Sequence, residues 1–300
     1  MPLGRLIRYG ILEPLSSALA SSARRGRAWF ARNRFDVVYL TSNPMCRLIP
    51  PSRESVIGSS HGGLDRAIEL EFVRNRLLYR RVDAFHFLSN GSAKLLRGKR
   101  PSFVLPPGID LGGHMRGSDV SPRTLSALFV GRLIASKGVV EFLEAWRTAA
   151  ANREVRAAVV GTGPLEDSVR AAERLTGAAQ LVHYKTLSTL DLARVYRSSK
   201  LLVVPSKTDA FPAVVLEGIA SGAYAIVSDV LRGTFDRFAE NGFLEYCRPD
   251  ASSLAQAIRC LLDSASAARP TDPVIRAALL REFDIDEVAR RFFDAVRSLR

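Results

Sequence analysis

From residue 36 onward the chain sets short apolar runs against longer stretches whose apolar positions recur every three or four residues. The runs at 36–40, 55–60, 84–89 and 103–108 read as buried strands, because they lack the polar alternation of a half-exposed sheet. Between them, 66–81 is predicted helical, with Leu70, Val73, Leu77 and Leu78 on one side, and 91–96 opens another helix. Residues 108–124 are rich in Gly, Ser and Pro and have no period, which predicts a linker. The alternation then resumes more cleanly. Strands are predicted at 125–130, 155–160, 180–184, 201–205 and 223–228, and helices at 138–151, 165–175, 189–198 and 212–221. Residues 1–34 read differently, as a basic helical segment with Leu3, Leu6, Ile7 and Ile11 at helical spacing and interruptions at Gly10 and Pro14.

Short buried strands alternating with helices predict an α/β fold with parallel sheets covered on both faces. Two such units are expected, both Rossmann-like: residues 1–116, reduced and carrying the basic N-terminus, and residues 117–300, whose last helix is expected to pack back on the first. A cleft is expected between them, with ligands at the carboxyl ends of strands.

Composition narrows the class. The 300 residues are 47% hydrophobic and 24% charged, as in a globular protein, and no internal repeat of fixed period is present. No apolar run reaches the ~20 residues of a membrane span. Glu13 and Pro14 break the N-terminal apolar stretch, so it does not read as a secretion signal, and a cytoplasmic location is expected. Cys46, Cys247 and Cys260 form no CxxC pair and read as reduced, structurally silent thiols. The net charge of +13 is uneven: residues 1–116 hold 19 Lys and Arg against 8 acids, residues 117–300 hold 24 against 22. A basic first half, with Arg24, Arg25, Arg27, Arg32 and Arg34 around Trp29 and Phe30, suggests peripheral attachment to an anionic membrane surface, or a lipid-linked acceptor. The plainer reading is a solvated surface and a helix packed on the first domain. Nucleic acid is disfavoured, because the basic residues belong to no recognisable binding module.

Four segments carry chemistry, each just after a predicted strand. In 129–138, Gly131 permits a tight strand exit, and Arg132 and Lys137 supply cations suited to a diphosphate. In 159–164, Gly161 and Gly163 form a GxG turn before a helix, where backbone amides meet an anion or a ribose. In 203–222, Asp209 stands in the loop before a helix and Glu217 lies eight residues on, both able to take hydrogen bonds from vicinal hydroxyls. For Asp209 alone the ordinary reading is a helix cap. In 59–63, His61 follows a strand and precedes two glycines, and is expected to face a ligand.

In this order the segments resemble the retaining glycosyltransferases of family four, group 1 glycosyl transferases with the two-domain glycosyltransferase B architecture. VGRLIASKG and DAFPAVVLEGIASG are similar to that family's Gly–Arg–x(4)–Lys–Gly and Glu–x(7)–Glu segments, and VVGTGPLEDSVR, YRSSKLLVVPS, VLPPGID and NGFLEYCRPDASSLAQAIRCLLD match further stations. The resemblance implies that Arg132 and Lys137 hold the donor diphosphate and stabilise the departing nucleotide. Glu217 would bind the ribose and Asp209 the donor sugar. The glycines Gly131, Gly161 and Gly163 would line the nucleotide pocket, and the turn of Asp209, Ala210, Phe211, Pro212 and Ala213 would aim amides at phosphate. His61 would touch sugar or acceptor, completing a catalytic set with Arg132, Lys137 and Asp209. The expected reaction moves a hexose from a nucleotide sugar with retention of configuration. The nucleotide sugar is substrate rather than cofactor, and no metal is expected, because the two cations do the electrostatic work and no DxD pair is present. Two departures from the family stand out: its opening strand and Gly-rich loop are missing before residue 36, and Asp209 replaces the usual Glu.

Three other readings remain. One is a non-catalytic relative that binds a nucleotide sugar as a partner subunit. Another is a sugar-nucleotide epimerase, and the third a nucleic-acid binder.

Overall fold

The computed structural model describes residues 37–40, 55–60, 82–88, 93, 101–112, 123–174, 179–209, 211–263 and 272–298. The segment 1–34, the predicted helices at 66–81 and (save residue 93) 91–96, and most of the predicted linker lie outside these residues. The chain divides into two compact units, Met1–Pro106 with Ala289–Arg300, and Pro107–Val288.

The first unit holds four parallel strands in chain order, β1 (Val37–Leu40), β2 (Ser55–Ser60), β3 (Ala84–Phe87) and β4 (Ser102–Val104). The register sets Val38 beside Val56, Ile57 beside Ala84 and Phe87 beside Val104. Every residue of β3 is buried, which suits an inner strand covered on both faces. His86 is one of them. Its Nε2 lies 2.8 Å from the carbonyl of Leu105, and its ring stacks on Phe103 at 5.1 Å with Phe292 at 6.1 Å.

The second unit is one six-stranded parallel sheet: β5 (Leu125–Val130), β6 (Arg156–Val160), β7 (Gln180–Tyr184), β8 (Ser199–Val204), β9 (Tyr224–Ser228) and β10 (Leu244–Cys247). The order across the sheet is β10-β9-β8-β5-β6-β7. The chain therefore builds outward from β5 in one direction as far as β7, then returns to the other side of β5 for β8 to β10. That reversal places a topological switch between β5 and β8, where loops leaving the two strands diverge and open a crevice.

The helices of this unit are α1 (Val139–Ala149), α2 (Glu166–Arg174), α3 (Thr189–Arg197), α4 (Ala213–Ala220), α5 (Asp236–Glu240), α6 (Ala251–Asp263), α7 (Pro273–Leu280) and the start of α8 (Ile285–Ser298). Helix α1 buries Val139, Phe142, Ala145, Trp146 and Ala149, a stripe at helical spacing that packs with α6 against the sheet. Ring contact between Phe129 of β5 and Phe142 at 5.6 Å joins strand to helix. Asp272 caps α7, its carboxylate accepting from the amides of Val274 and Ile275, with Pro273 at the first helical position.

Two pieces of chain enter this unit side by side. Ile109 forms a parallel bridge with Asp284. Its amide donates to Phe283 at 2.9 Å, and the amide of Ile285 donates back to Ile109 at 3.1 Å. Gly108 fits here because a Cβ would lie 2.8 Å from the Cα of Ile285. The division thus falls at Pro106–Pro107, earlier than residue 116, because Ile109 is already tied to the second unit. Among the described residues no helix is long and apolar enough to cross a membrane.

Candidate functional site

Because β5 lies between β8 and β6, the loops following these three strands meet at one end of the sheet. The loop after β5 is laid against the loop after β6 by backbone hydrogen bonds: Gly131 donates to Val160 at 3.0 Å, Leu133 to Thr162 at 2.9 Å, and Leu165 returns to Leu133 at 3.0 Å. This contact requires Gly161. Its φ is 146°, and a Cβ would lie 1.9 Å from the carbonyl oxygen of Gly131. Gly163 is equally close-fitted, with 2.5 Å left between a Cβ and the oxygen of Leu133. His183, at the end of β7, closes the far side of the turn with Nε2 2.9 Å from the oxygen of Gly161.

On its other flank the β5 loop meets the loop after β8. A short 3-10 turn, Ala135–Lys137, ends at Gly138, whose φ of 74° also starts α1. A Cβ there would stand 2.1 Å from the oxygen of Pro205. Lys137 forms an ion pair with Asp209 of the β8 loop, whose second neighbour is the Ser206 hydroxyl at 3.4 Å. Asp209 therefore does not cap a helix: α4 begins at Pro212, with no side-chain cap. The first-turn amides of α4 are left without a capping side chain, and such amides suit an anion. Phe211 holds this turn down, buried with its ring 4.9 Å from Phe235 and 5.9 Å from Phe283.

Glu217 lies on α4, half-buried, and its Oε2 accepts a hydrogen bond from the hydroxyl of Tyr196 at 2.8 Å. Tyr196 is fully buried on α3. Burial, then the neighbouring Glu217 charge, pushes its phenol far above its ordinary value of 10.0. Tyr246 is also raised, by burial and by its hydrogen bond to Asp236. Both groups hold their proton more tightly folded than unfolded. Their contribution to stability is complete below the unfolded value near 10 and is lost as pH rises beyond it. Unfolding by urea across the alkaline range is expected to show this decline, and Tyr196→Phe with Tyr246→Phe to flatten it. An alkaline limb unchanged in the double variant would remove these phenols as its cause.

The structure therefore brings Gly131, Lys137, Gly161, Gly163 and Asp209 to one end of one sheet, with Phe211, Pro212 and Ala213 at the start of α4 and Glu217 one turn further along that helix, beside Tyr196. Arg132 is at the same strand exit, exposed, and among the described residues forms no ion pair. His61 and Ala210 lie outside the described residues. Tyr196 and Lys207 were not singled out by the sequence. Tyr196 stands in the quoted YRSSKLLVVPS segment, and its signal was a tyrosine on the apolar stripe of a helix, a position where a buried hydroxyl needs a partner.

Residues 124–264 match the family model described as Glycosyl transferases group 1. D-inositol 3-phosphate glycosyltransferase of Segniliparus rotundus is 33% identical over 141 residues, 42% of this chain and 31% of that protein. A relative with the same description in a Mycobacterium species is 30% identical over 142 residues, 42% and 31% of the two chains. The matched segment thus spans about a third of the length of these curated relatives. Among solved structures, a sucrose-phosphate synthase of Thermosynechococcus elongatus superposes with a TM-score of 0.77 at 18% identity, covering 98% of this chain and 82% of that one. Anabaena HepE, solved with UDP and glucose, gives 0.73 at 15%, covering 95% and 84%. Both likenesses establish the fold.

Proposed function

With residues 124–264 carrying the group 1 glycosyltransferase pattern on this fold, we propose that the chain transfers a hexose from a nucleotide sugar to an acceptor, with retention of configuration, as family four enzymes do. What supports this reading is the meeting of the β5 loop with both its neighbours: Lys137 pairs with Asp209 of the β8 loop, the GxG turn after β6 lies against it on the other flank, and the uncapped start of α4 follows Asp209, with Glu217 one turn along that helix. UDP stands in the structures of Anabaena HepE and of the pneumococcal O-GlcNAc transferase, which supports a nucleoside diphosphate as part of the ligand.

In the proposed mechanism, Arg132 and Lys137 neutralise charge that builds on the diphosphate as the glycosidic bond breaks. The amides at the start of α4 add a fixed positive potential. Glu217, held by Tyr196, accepts from the ribose hydroxyls, and Asp209 orients the sugar. The acceptor attacks the face the nucleotide leaves. The basic first half favours an acceptor at an anionic membrane surface or linked to a lipid, met from the cytoplasmic side.

A thermal-shift series with UDP-, GDP- and ADP-sugars tests this reading. A cognate donor at a hundred times its dissociation constant is expected to add ~2.7 kcal/mol of stability. Glu217→Ala and Arg132→Ala are expected to remove most of that gain together with donor turnover. Binding without turnover on any acceptor would favour a non-catalytic partner subunit.

A further inference from the structure

Lys207 sits two residues before Asp209 and makes its own connections to the β5 side. Its amide donates to the oxygen of Ser136 at 2.8 Å, and its Nζ lies 2.5 Å from Oε1 of Glu141, in the first turn of α1. The Glu141 side chain is 18% exposed, and among the described residues its second oxygen, Oε2, is buried without a hydrogen-bond partner. A buried, half-satisfied carboxylate weakens a fold rather than strengthening it, and a part-exposed ion pair returns little stability. The pair therefore calls for another account.

Its geometry offers one. The same two segments are joined by two ion pairs of opposite polarity: Lys137 of the first to Asp209 of the second, and Lys207 of the second to Glu141 of the first. A diphosphate that draws Lys137 away breaks the first link at the moment the Asp209 turn must stay in place. We propose that Glu141 and Lys207 are the positioning pair of the site, holding the turn from Ser206 to Ala213 when Lys137 is engaged by the diphosphate of a nucleotide ligand. This rests on the glycosyltransferase reading for the ligand, while the mechanical part stands on the two ion pairs alone.

Hydrogen exchange of the amides from 206 to 214 tests the mechanical part without any ligand. Lys137→Met mimics the loss of the first link and is expected to change exchange by no more than about twofold. Adding Lys207→Met, or Glu141→Gln in its place, is expected to speed exchange about tenfold, whereas adding Lys207→Arg, which keeps the charge, is not. Equal exchange in the single and double variants, or a tenfold rise from Lys137→Met alone, would overturn the proposal. Calorimetry with UDP, GDP and ADP tests the ligand part: Lys207→Met is expected to weaken affinity about tenfold, and Lys207→Arg to restore it. Unchanged affinity in Lys207→Met would also overturn it. A wild-type protein that binds none of the three nucleotides would end the glycosyltransferase reading instead, and the exchange result would still decide the pair.

Discussion

Replacing Lys137 by methionine is expected to lower sugar transfer by about 10²–10³-fold, the usual loss when one fixed donor to a developing negative charge is removed. The side chain keeps its length and loses its charge, so the effect reports electrostatics rather than packing. Lys137 also holds Asp209, and among the described residues the variant leaves that carboxylate with the Ser206 hydroxyl at 3.4 Å. On the proposed mechanism the loss falls on kcat more than on KM, because charge on a leaving diphosphate is greatest in the transition state. Single-turnover rates at saturating donor separate the two. A loss confined to KM would reduce Lys137 to a ground-state binding residue.

The second large effect is on stability. Gly161→Ala meets two obstacles at once, a φ of 146° and a Cβ 1.9 Å from the oxygen of Gly131. Both are backbone, so no side chain can rotate aside. The expected cost is about 3 kcal/mol or more, combining strain and overpacking. Gly233→Ala is the matched comparison. Its φ is 86°, but nothing lies within 4 Å of the new Cβ, so conformation alone costs about 1 kcal/mol. Urea midpoints of the two variants measure the difference. Equal midpoints would show that the loop after β5 retreats from Gly161 without penalty.

Much of the second unit was legible because its signals are local. Strands β5, β6, β8 and β9 are largely apolar runs of five or six residues ended by Gly, Ser or Pro, whereas β7 carries Gln180 and His183 and runs into Lys185, and helices α1 to α4 follow at the expected places. Strand β10 escaped notice: it is an edge strand of four residues, with Glu245 and a half-buried Cys247 diluting its apolar character. The sheet order was not legible either, since nothing local says that β8 returns beside β5, yet this return assembles the site. The sequence pointed to Lys137, Asp209 and Glu217 by spacing. It could not show that two of them pair with each other, or that Tyr196 holds the third, because those contacts cross 72 and 21 residues of chain. Asp209 shows the limit of local reasoning most clearly. Asp before a helix ordinarily caps it, but here a lysine from another loop offers full charge, and Pro212 takes the capping position.

The bridge between Ile109 and Asp284 has a consequence for how the polypeptide is cut into parts. Residues 107–288 leave and rejoin the rest of the chain at neighbouring points, because the amide of each partner strand is answered by a carbonyl of the other. The second unit is therefore topologically a cassette: a segment spliced into a host with its two ends together, which a new host sequence could accept at one loop without stretching either join.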